Sequence, residues 1–188
     1  MNKIVVSLLM IIGLTANAQI KCEYEIEEKT DSTFLKKTTD YLIYEKDFVN
    51  TTEYLTFSLI DSDGVLYLQA QLLQKSNNFI PAKCLDTTSK IYLQLANGKI
   101  YTLINSEESC SQLVYNEKEK NSIRVLNGYF LFSKDNFEEL KKSPISIVRI
   151  KYASETVDYV MKKELKSSNF PGTYLPENYF VNYLKCIQ

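Results

Sequence analysis

The stretch "YLTFSLIDSDGVLYLQAQLL", residues 54–73, decides the fold class. It holds two runs in which apolar and polar residues alternate, with Asp63-Gly64 between them. Such alternation is typical of a β-strand with one buried face, and an Asp-Gly dipeptide readily takes the positive φ angles of a two-residue hairpin turn. The stretch therefore predicts an antiparallel hairpin in which the core-facing residues pair across the strands: Leu55, Phe57 and Leu59 opposite Leu72, Ala70 and Leu68.

The residues around this turn, Asp61 to Gly64, also invite comparison with a calcium-binding loop. An EF-hand loop has glycine at its sixth position and a bidentate glutamate at its twelfth. Counted from Asp61, the glycine comes at the fourth position and Leu72 at the twelfth. We therefore interpret the segment as a turn and predict no metal site.

A second hairpin is predicted by "KIYLQLANGKIYTLI", residues 90–104. Asn97-Gly98 is another dipeptide that favours a two-residue turn. With that turn, three pairs of residues share the core face: Leu95 with Ile100, Leu93 with Thr102, and Ile91 with Ile104.

The first residues predict export. Lys3 precedes an apolar run, residues 4–14, that is well short of the roughly 20 residues of a membrane-spanning helix. Ala16-Asn17-Ala18 supplies the small residues that signal peptidase requires. We predict a signal peptide over residues 1–18, a mature domain over 19–188 with no transmembrane segment, and residence in the periplasm or outside the cell.

The four cysteines all follow this leader. An even number of cysteines in an exported protein favours disulfides over metal binding. Cys84 and Cys110 are equally distant from Asn97 along the chain, so the second hairpin brings them together. The remaining pair, Cys22 and Cys186, is predicted to join the two ends of the mature chain.

The rest of the chain predicts further strands and two short helices. Short β-branched or aromatic runs predict strands at 23–28, 41–44, 123–132, 145–152 and 156–161. Helices are predicted near 134–142, with Phe137 and Leu140 buried, and near 176–187. Since strands and helices do not alternate regularly, we predict a single α+β domain, mainly an antiparallel sheet built from hairpins.

The composition excludes much familiar chemistry. The chain contains no histidine, which removes the Ser-His-Asp and Cys-His arrangements and the usual zinc sites. There is no glycine-rich phosphate loop, and a net charge of −1 without a long basic run disfavours nucleic acid. We predict no cofactor and no catalytic residue. The adjacent acids Glu107-Glu108 and Glu138-Glu139 diverge in any regular element, so the alternative function, a carboxylate-based enzyme acting on polysaccharide, would need acids far apart in sequence.

Candidate binding residues come from the abundant tyrosines, of which there are fourteen. Tyrosine combines a rigid apolar ring with a hydrogen-bonding tip, which suits protein interfaces. The absence of tryptophan makes a protein or peptide a better ligand than a glycan. Four tyrosines are predicted on the sheet face that lies opposite the core-facing sides of the two hairpins: Tyr54, Tyr67, Tyr92 and Tyr101. In the alternative, the C-terminal helix that carries Phe180 and Tyr183 covers this face.

Four segments together resemble small exported Bacteroidota proteins of unknown function: "ANAQ", "SKIYLQLANGKIYTL", "FSKDNFEELKKSPISIVRIKY" and "YLKCI". These motifs are structural, so the resemblance implies an exported disulfide-containing domain and no catalytic residue. Arg149 is a charge in an otherwise apolar strand, and a ligand-binding guanidinium is one interpretation of it; we favour an outward-facing arginine at an edge or on the sheet surface. The sequence thus favours a non-catalytic binding module of the cell envelope.

Overall fold

The computed structural model describes residues 21–133 and 137–187. The predicted signal peptide and its cleavage site lie outside the described residues. Two 3-10 helices, Pro176–Asn178 and Leu184–Ile187, flank the second α-helix. The other elements, in chain order, are β1 (Tyr24–Lys29), β2 (Phe34–Thr38), β3 (Tyr41–Phe48), β4 (Thr51–Ser62), β5 (Val65–Ser76), β6 (Cys84–Leu85), β7 (Lys90–Leu95), β8 (Ile100–Asn105), β9 (Ser109–Cys110), β10 (Gln112–Asn116), β11 (Asn121–Leu131), α1 (Phe137–Leu140), β12 (Ile145–Lys151), β13 (Thr156–Val160), β14 (Leu165–Lys166), β15 (Thr173–Tyr174) and α2 (Tyr179–Tyr183).

One antiparallel sheet of eleven strands dominates the described structure, in the order β1-β2-β4-β5-β11-β8-β7-β12-β13. Two further strands pair with the long members of this path: β3 with β4, and β10 with β11. The first half of β4 pairs with β3 and its end pairs with β2. Likewise, β11 pairs with β10 at its start and with β8 at its end. The prediction of a mainly antiparallel sheet built from hairpins is confirmed.

The first predicted hairpin is confirmed in both turn and register. Leu55 pairs with Leu72, Phe57 with Ala70 and Leu59 with Leu68. Asp63 and Gly64 have φ angles of 50° and 81°. Positive φ at both central residues defines the type I′ turn, whose twist matches that of the two strands.

The second hairpin forms, but its predicted register is wrong by one residue. Leu93 pairs with Tyr101, and Ile91 with Leu103. The loop has three residues, because the Leu95 N–H donates to the Lys99 carbonyl and the Gly98 N–H to the Leu95 carbonyl. Of the two predicted turn residues, only Gly98 has positive φ, at 84°. This is the geometry of a type I turn that ends in a left-handed glycine.

The one-residue shift turns every side chain of β8 to the opposite face. Leu103 is fully buried, whereas Ile104 is 54% exposed and Ile100 is also exposed. The expectation that Ile100, Thr102 and Ile104 face the core is therefore wrong. Ile91, Leu93 and Leu95 are buried as predicted.

The sheet curls so that its two ends share one core. Buried residues of β4 and β5 belong to the same hydrophobic cluster as those of β7, β8 and β12. Tyr44 of β3 meets Tyr159 of β13 with ring centroids 5.0 Å apart. The C-terminal helix closes this core, with Phe180 and Tyr179 both packed against Phe57.

The two helical regions lie where helices were predicted. Phe137 and Leu140 of α1 are buried, as predicted, while residues 134–136, at the predicted start of that helix, lie outside the described residues. The region 176–187 consists of α2 between its two 3-10 helices. Strands β2 and β10, which carry weak or two-sided patterns, were not predicted, and neither were the two-residue strands β6, β9, β14 and β15.

Both predicted disulfides are present. Cys84 bonds Cys110 across β6 and β9, and Cys22 bonds Cys186 over a separation of 164 residues. The Cys84–Cys110 register continues that of β7 and β8, since both are centred on Asn97. A two-residue turn would have placed the centre between Asn97 and Gly98, so the disulfide agrees with the three-residue loop.

Candidate binding face

The four candidate tyrosines do not share one surface. Tyr101 lies on the core side of β8, because of the register shift, and packs against the main core. Tyr54 lies on the outer face but is buried in a second cluster with Leu42 and Leu165. The ring of Phe170 covers it edge-on, with centroids 5.1 Å apart. These two placements correct the prediction of a common platform.

A segment other than the predicted helix covers Tyr54. Phe170 lies between β14 and β15, which pair with each other as a small separate sheet. The C-terminal helix packs instead on the core face, so the predicted cover by Phe180 and Tyr183 is wrong. Among the described residues, this cover is limited to the part of the outer face nearest β3, where the second cluster lies.

Tyr92 lies on the outer face of the other half of the sheet, where it pairs across strands with Arg149. The Arg149 guanidinium binds Asp158 through two hydrogen bonds of 2.5 and 2.7 Å. Hydrogen bonding to Arg149 lowers the pKa of Asp158, so the carboxylate stays ionised. The interpretation of Arg149 as an outward-facing arginine is confirmed, and its charge is already neutralised.

Tyr67 lines an open groove on the outer face, which we call the outer groove. Its volume is about 690 Å³. The groove crosses strands β1, β2, β4, β5 and β11, and its far wall is the segment after β8. The lining residues are Ile26, Leu35, Lys37, Ile60, Ser62, Tyr67, Gln69, Ser106, Glu107 and Tyr129.

The sheet register explains why apolar side chains gather in the outer groove. Ile60 pairs with Tyr67, and Tyr67 pairs with Leu131. In the other direction, Ile60 pairs with Lys37, which pairs with Ile26. Directly opposed residues point to the same face of a sheet. The five residues therefore form one cross-strand row on the outer face.

One edge of the outer groove is polar. Ser58 Oγ donates to Gln69 Oε1 at 3.2 Å, and Gln69 Nε2 lies 3.4 Å from Asn127 Oδ1. Gln71 Nε2 also donates to Asn127 Oδ1, at 2.8 Å. These bonds hold the Gln69 carboxamide in one orientation at the groove wall. Gln69 itself is buried, with 6% of its surface exposed.

The charges at the outer groove are unequal. Lys37 is mostly buried and already binds Glu25 at 2.6 Å, with Asp40 at 3.7 Å. Glu107, which is exposed, lines the opposite wall. Since the lysine is neutralised by two carboxylates, the exposed Glu107 leaves a negative rim.

A cluster of four tyrosines lies elsewhere and was missed by the sequence analysis. Tyr41 contacts Tyr174, Tyr179 and Tyr183 with ring centroids 5.0 to 5.3 Å apart. Burial raises the pKa of Tyr183 to about 12 and that of Tyr179 well above its usual value. Tyr179 also packs against Phe57, so the cluster attaches the C-terminal helices to β3 and β4. No sequence periodicity links Tyr41 to the other three.

The carboxylates offer limited support for an enzyme. Asp47 and Glu119 line one open pocket of about 400 Å³. Hydrogen bonding to Asn121 and the charge of Lys75 lower the pKa of Glu119, whereas a general acid needs a raised pKa. Glu138 and Glu139 bind different lysines, Lys141 and Lys99, and so diverge as expected.

Within residues 21–133 and 137–187, no three histidine, cysteine, aspartate or glutamate side chains lie close enough together to hold a metal ion. No helix in the same part of the chain has both the length and the apolar character needed to cross a membrane.

Comparison of the chain with protein-family models, with curated proteins and with solved structures finds no match. The candidate function therefore depends on the chain's own residues.

Proposed function

We propose that the protein is an exported, non-catalytic binding module of the cell envelope, and that its ligand is an extended segment of a protein or peptide held in the outer groove. The observation that carries this proposal is the open apolar groove that contains the partly buried rings of Tyr67 and Tyr129. Export is supported by the predicted leader and by the two disulfides, which persist in oxidising compartments.

The shape and chemistry of the outer groove favour an extended chain. Ile26, Leu35 and Ile60 offer apolar contacts to the side chains of an extended ligand, and the rings of Tyr67 and Tyr129 add rigid apolar area. The negative rim at Glu107 favours a basic residue in the ligand. A glycan is disfavoured because the chain has no tryptophan, the side chain best suited to stacking on a sugar.

The test begins with selection of peptides from a random display library on the disulfide-bonded protein, alongside a glycan array. Selected peptides are expected to be apolar with at least one basic residue. Substitution Tyr67→Ser should abolish their binding while changing the free energy of unfolding by less than about 1 kcal/mol, because the ring is partly exposed.

Two tyrosine variants control this experiment. Tyr92→Ser removes a partly buried ring from the other half of the outer face and should leave peptide binding intact. Tyr101→Ser removes a ring packed on the core and should mainly lower stability. Peptides whose binding is insensitive to Tyr67→Ser would refute the groove assignment. Binding confined to the glycan array would instead favour a polysaccharide ligand.

A further inference from the structure

The edge strand β10 differs from the other edges of the main sheet. In the part of the chain that the structure describes, four strands of this sheet have a single neighbour: β1, β3, β10 and β13. β1 carries Glu25, Glu27 and Glu28, and β3 carries Glu45, Lys46 and Asp47, while β13 carries Asp158. Charged residues on an edge strand discourage pairing with another chain. β10 has the sequence QLVYN and therefore carries no charge.

The apolar residues of β10 are also exposed. Leu113, Val114 and Tyr115 are consecutive and all face solvent, with Val114 56% exposed. They lie on both faces of the strand, because successive side chains alternate. Burying only one face of β10 would leave part of this surface exposed, whereas a strand added along the edge contacts both faces.

The edge of β10 offers backbone groups as well. In an antiparallel pair, alternate residues direct their N–H and C=O groups away from the partner strand. Among the described residues, β10 pairs only with β11. Its outward groups can therefore bind a further strand, as in β-strand addition.

The order of residues in β10 identifies a suitable added strand. In an antiparallel arrangement with a two-fold axis at Val114, Val114 lies opposite Val114 of a second copy. Leu113 then lies opposite Tyr115, and Gln112 opposite Asn116. Apolar residues meet apolar residues, amides meet amides, and no like charges are opposed. A two-fold interface requires this kind of self-complementary patch.

We propose that β10 is the interface of a two-fold dimer, in which the β10 strands of two copies pair antiparallel about Val114 and join the two sheets. The interface does not depend on the outer groove. β10 pairs with residues 121–125 of β11, whereas Tyr129, the groove residue of β11, lies near the other end of that strand. Both grooves of the dimer stay open.

The first test measures mass by sedimentation velocity over a concentration series. The wild-type protein should pass from monomer to dimer as concentration rises. Val114→Lys and Val114→Glu should each be monomeric, because like charges meet at the two-fold axis. An equimolar mixture of the two variants should regain the dimer, since lysine then faces glutamate. The matched control, Val160→Lys, alters a similarly exposed residue on edge strand β13, 63% exposed against 56% for Val114, and should dimerise as the wild type does.

A disulfide cross-link tests directly whether Val114 lies at the two-fold axis. Directly opposed residues in an antiparallel pair have Cα atoms about 4.5–5.5 Å apart, which suits a disulfide. Val114→Cys should therefore give a covalent dimer under oxidising conditions, whereas Val160→Cys should not. A wild-type protein that stays monomeric at all concentrations would overturn the proposal. So would a dimer that survives Val114→Lys, or a mixture of the lysine and glutamate variants that stays monomeric.

Discussion

The two central hairpins have similar sequences but different turns. Both pair an acidic or amide residue with glycine between alternating runs, yet the hairpin of β4 and β5 has the two-residue turn, whereas β7 and β8 are joined by three residues. In β4 the outer face is mostly polar, so only one register buries the apolar residues. In β8 the run IYTLI is apolar on both faces, so either register buries some of them. A hairpin sequence thus specifies its register only where its two faces differ.

An X-Gly dipeptide does not by itself choose the turn. Asp63 has a positive φ and its carboxylate accepts the Phe34 N–H from β2 at 2.6 Å. Ala96, before Asn97, is held differently, because its N–H donates to the Pro144 carbonyl. In each case a strand or loop distant in sequence binds the turn.

Substitutions in β8 test the register of the second hairpin, and one of them should lower stability more than any other change proposed here. Leu103→Ala should lower the free energy of unfolding by about 2–5 kcal/mol, because it removes a fully buried side chain from the core. Ile104→Ala, one residue further along, should cost less than about 1 kcal/mol because that side chain is half exposed. Denaturant unfolding measures both. If Ile104→Ala proved the more costly change, the two-residue register would be the correct one.

A somewhat smaller effect is expected from the disulfide that extends the second hairpin. Replacing Cys84 and Cys110 together by serine should lower the free energy of unfolding by about 2–4 kcal/mol, since the bond closes a loop in the unfolded chain. Non-reducing peptide mapping first establishes the pairing in the folded protein. Unchanged stability in the double variant would mean either that the disulfide is strained or that β6 and β9 pair equally well without it.

Alanine substitutions in the two turns allow a direct comparison of their conformations and should change stability least. Asp63→Ala should cost about 1–2 kcal/mol, because alanine tolerates positive φ poorly. The variant also loses the acceptor for the Phe34 N–H. Asn97→Ala should cost less than about 1 kcal/mol, since only the adjacent glycine has positive φ there. Thermal unfolding gives the ranking.

Asp63→Asn is the matched control for this pair, because asparagine accepts positive φ and keeps a side-chain acceptor. It should stay close to the wild type. Equal losses for Asp63→Ala and Asn97→Ala would mean that the two turns have the same conformation.

The candidate site was only partly predictable. Tyr67 and Tyr92 lie on the outer face, as alternation predicts, because each sits between core-facing neighbours. Tyr54 lies on that face too, but its cover by Phe170 depends on a contact 116 positions away in sequence, between segments that share no motif. The groove residues Ile26 and Leu35 come from β1 and β2, and β2 was not predicted at all.

Local sequence was enough to predict the antiparallel hairpin of β4 and β5, the two disulfide pairs and the lack of histidine chemistry. These follow from local alternation, from cysteines placed symmetrically about a turn, and from composition. Three features depend on the tertiary structure: the face on which Tyr101 lies, the cover over Tyr54 and the outer groove. The physical reason is that burial of these side chains depends on elements that meet through the curl of the sheet, and the free energy of those contacts has no local signal in the chain.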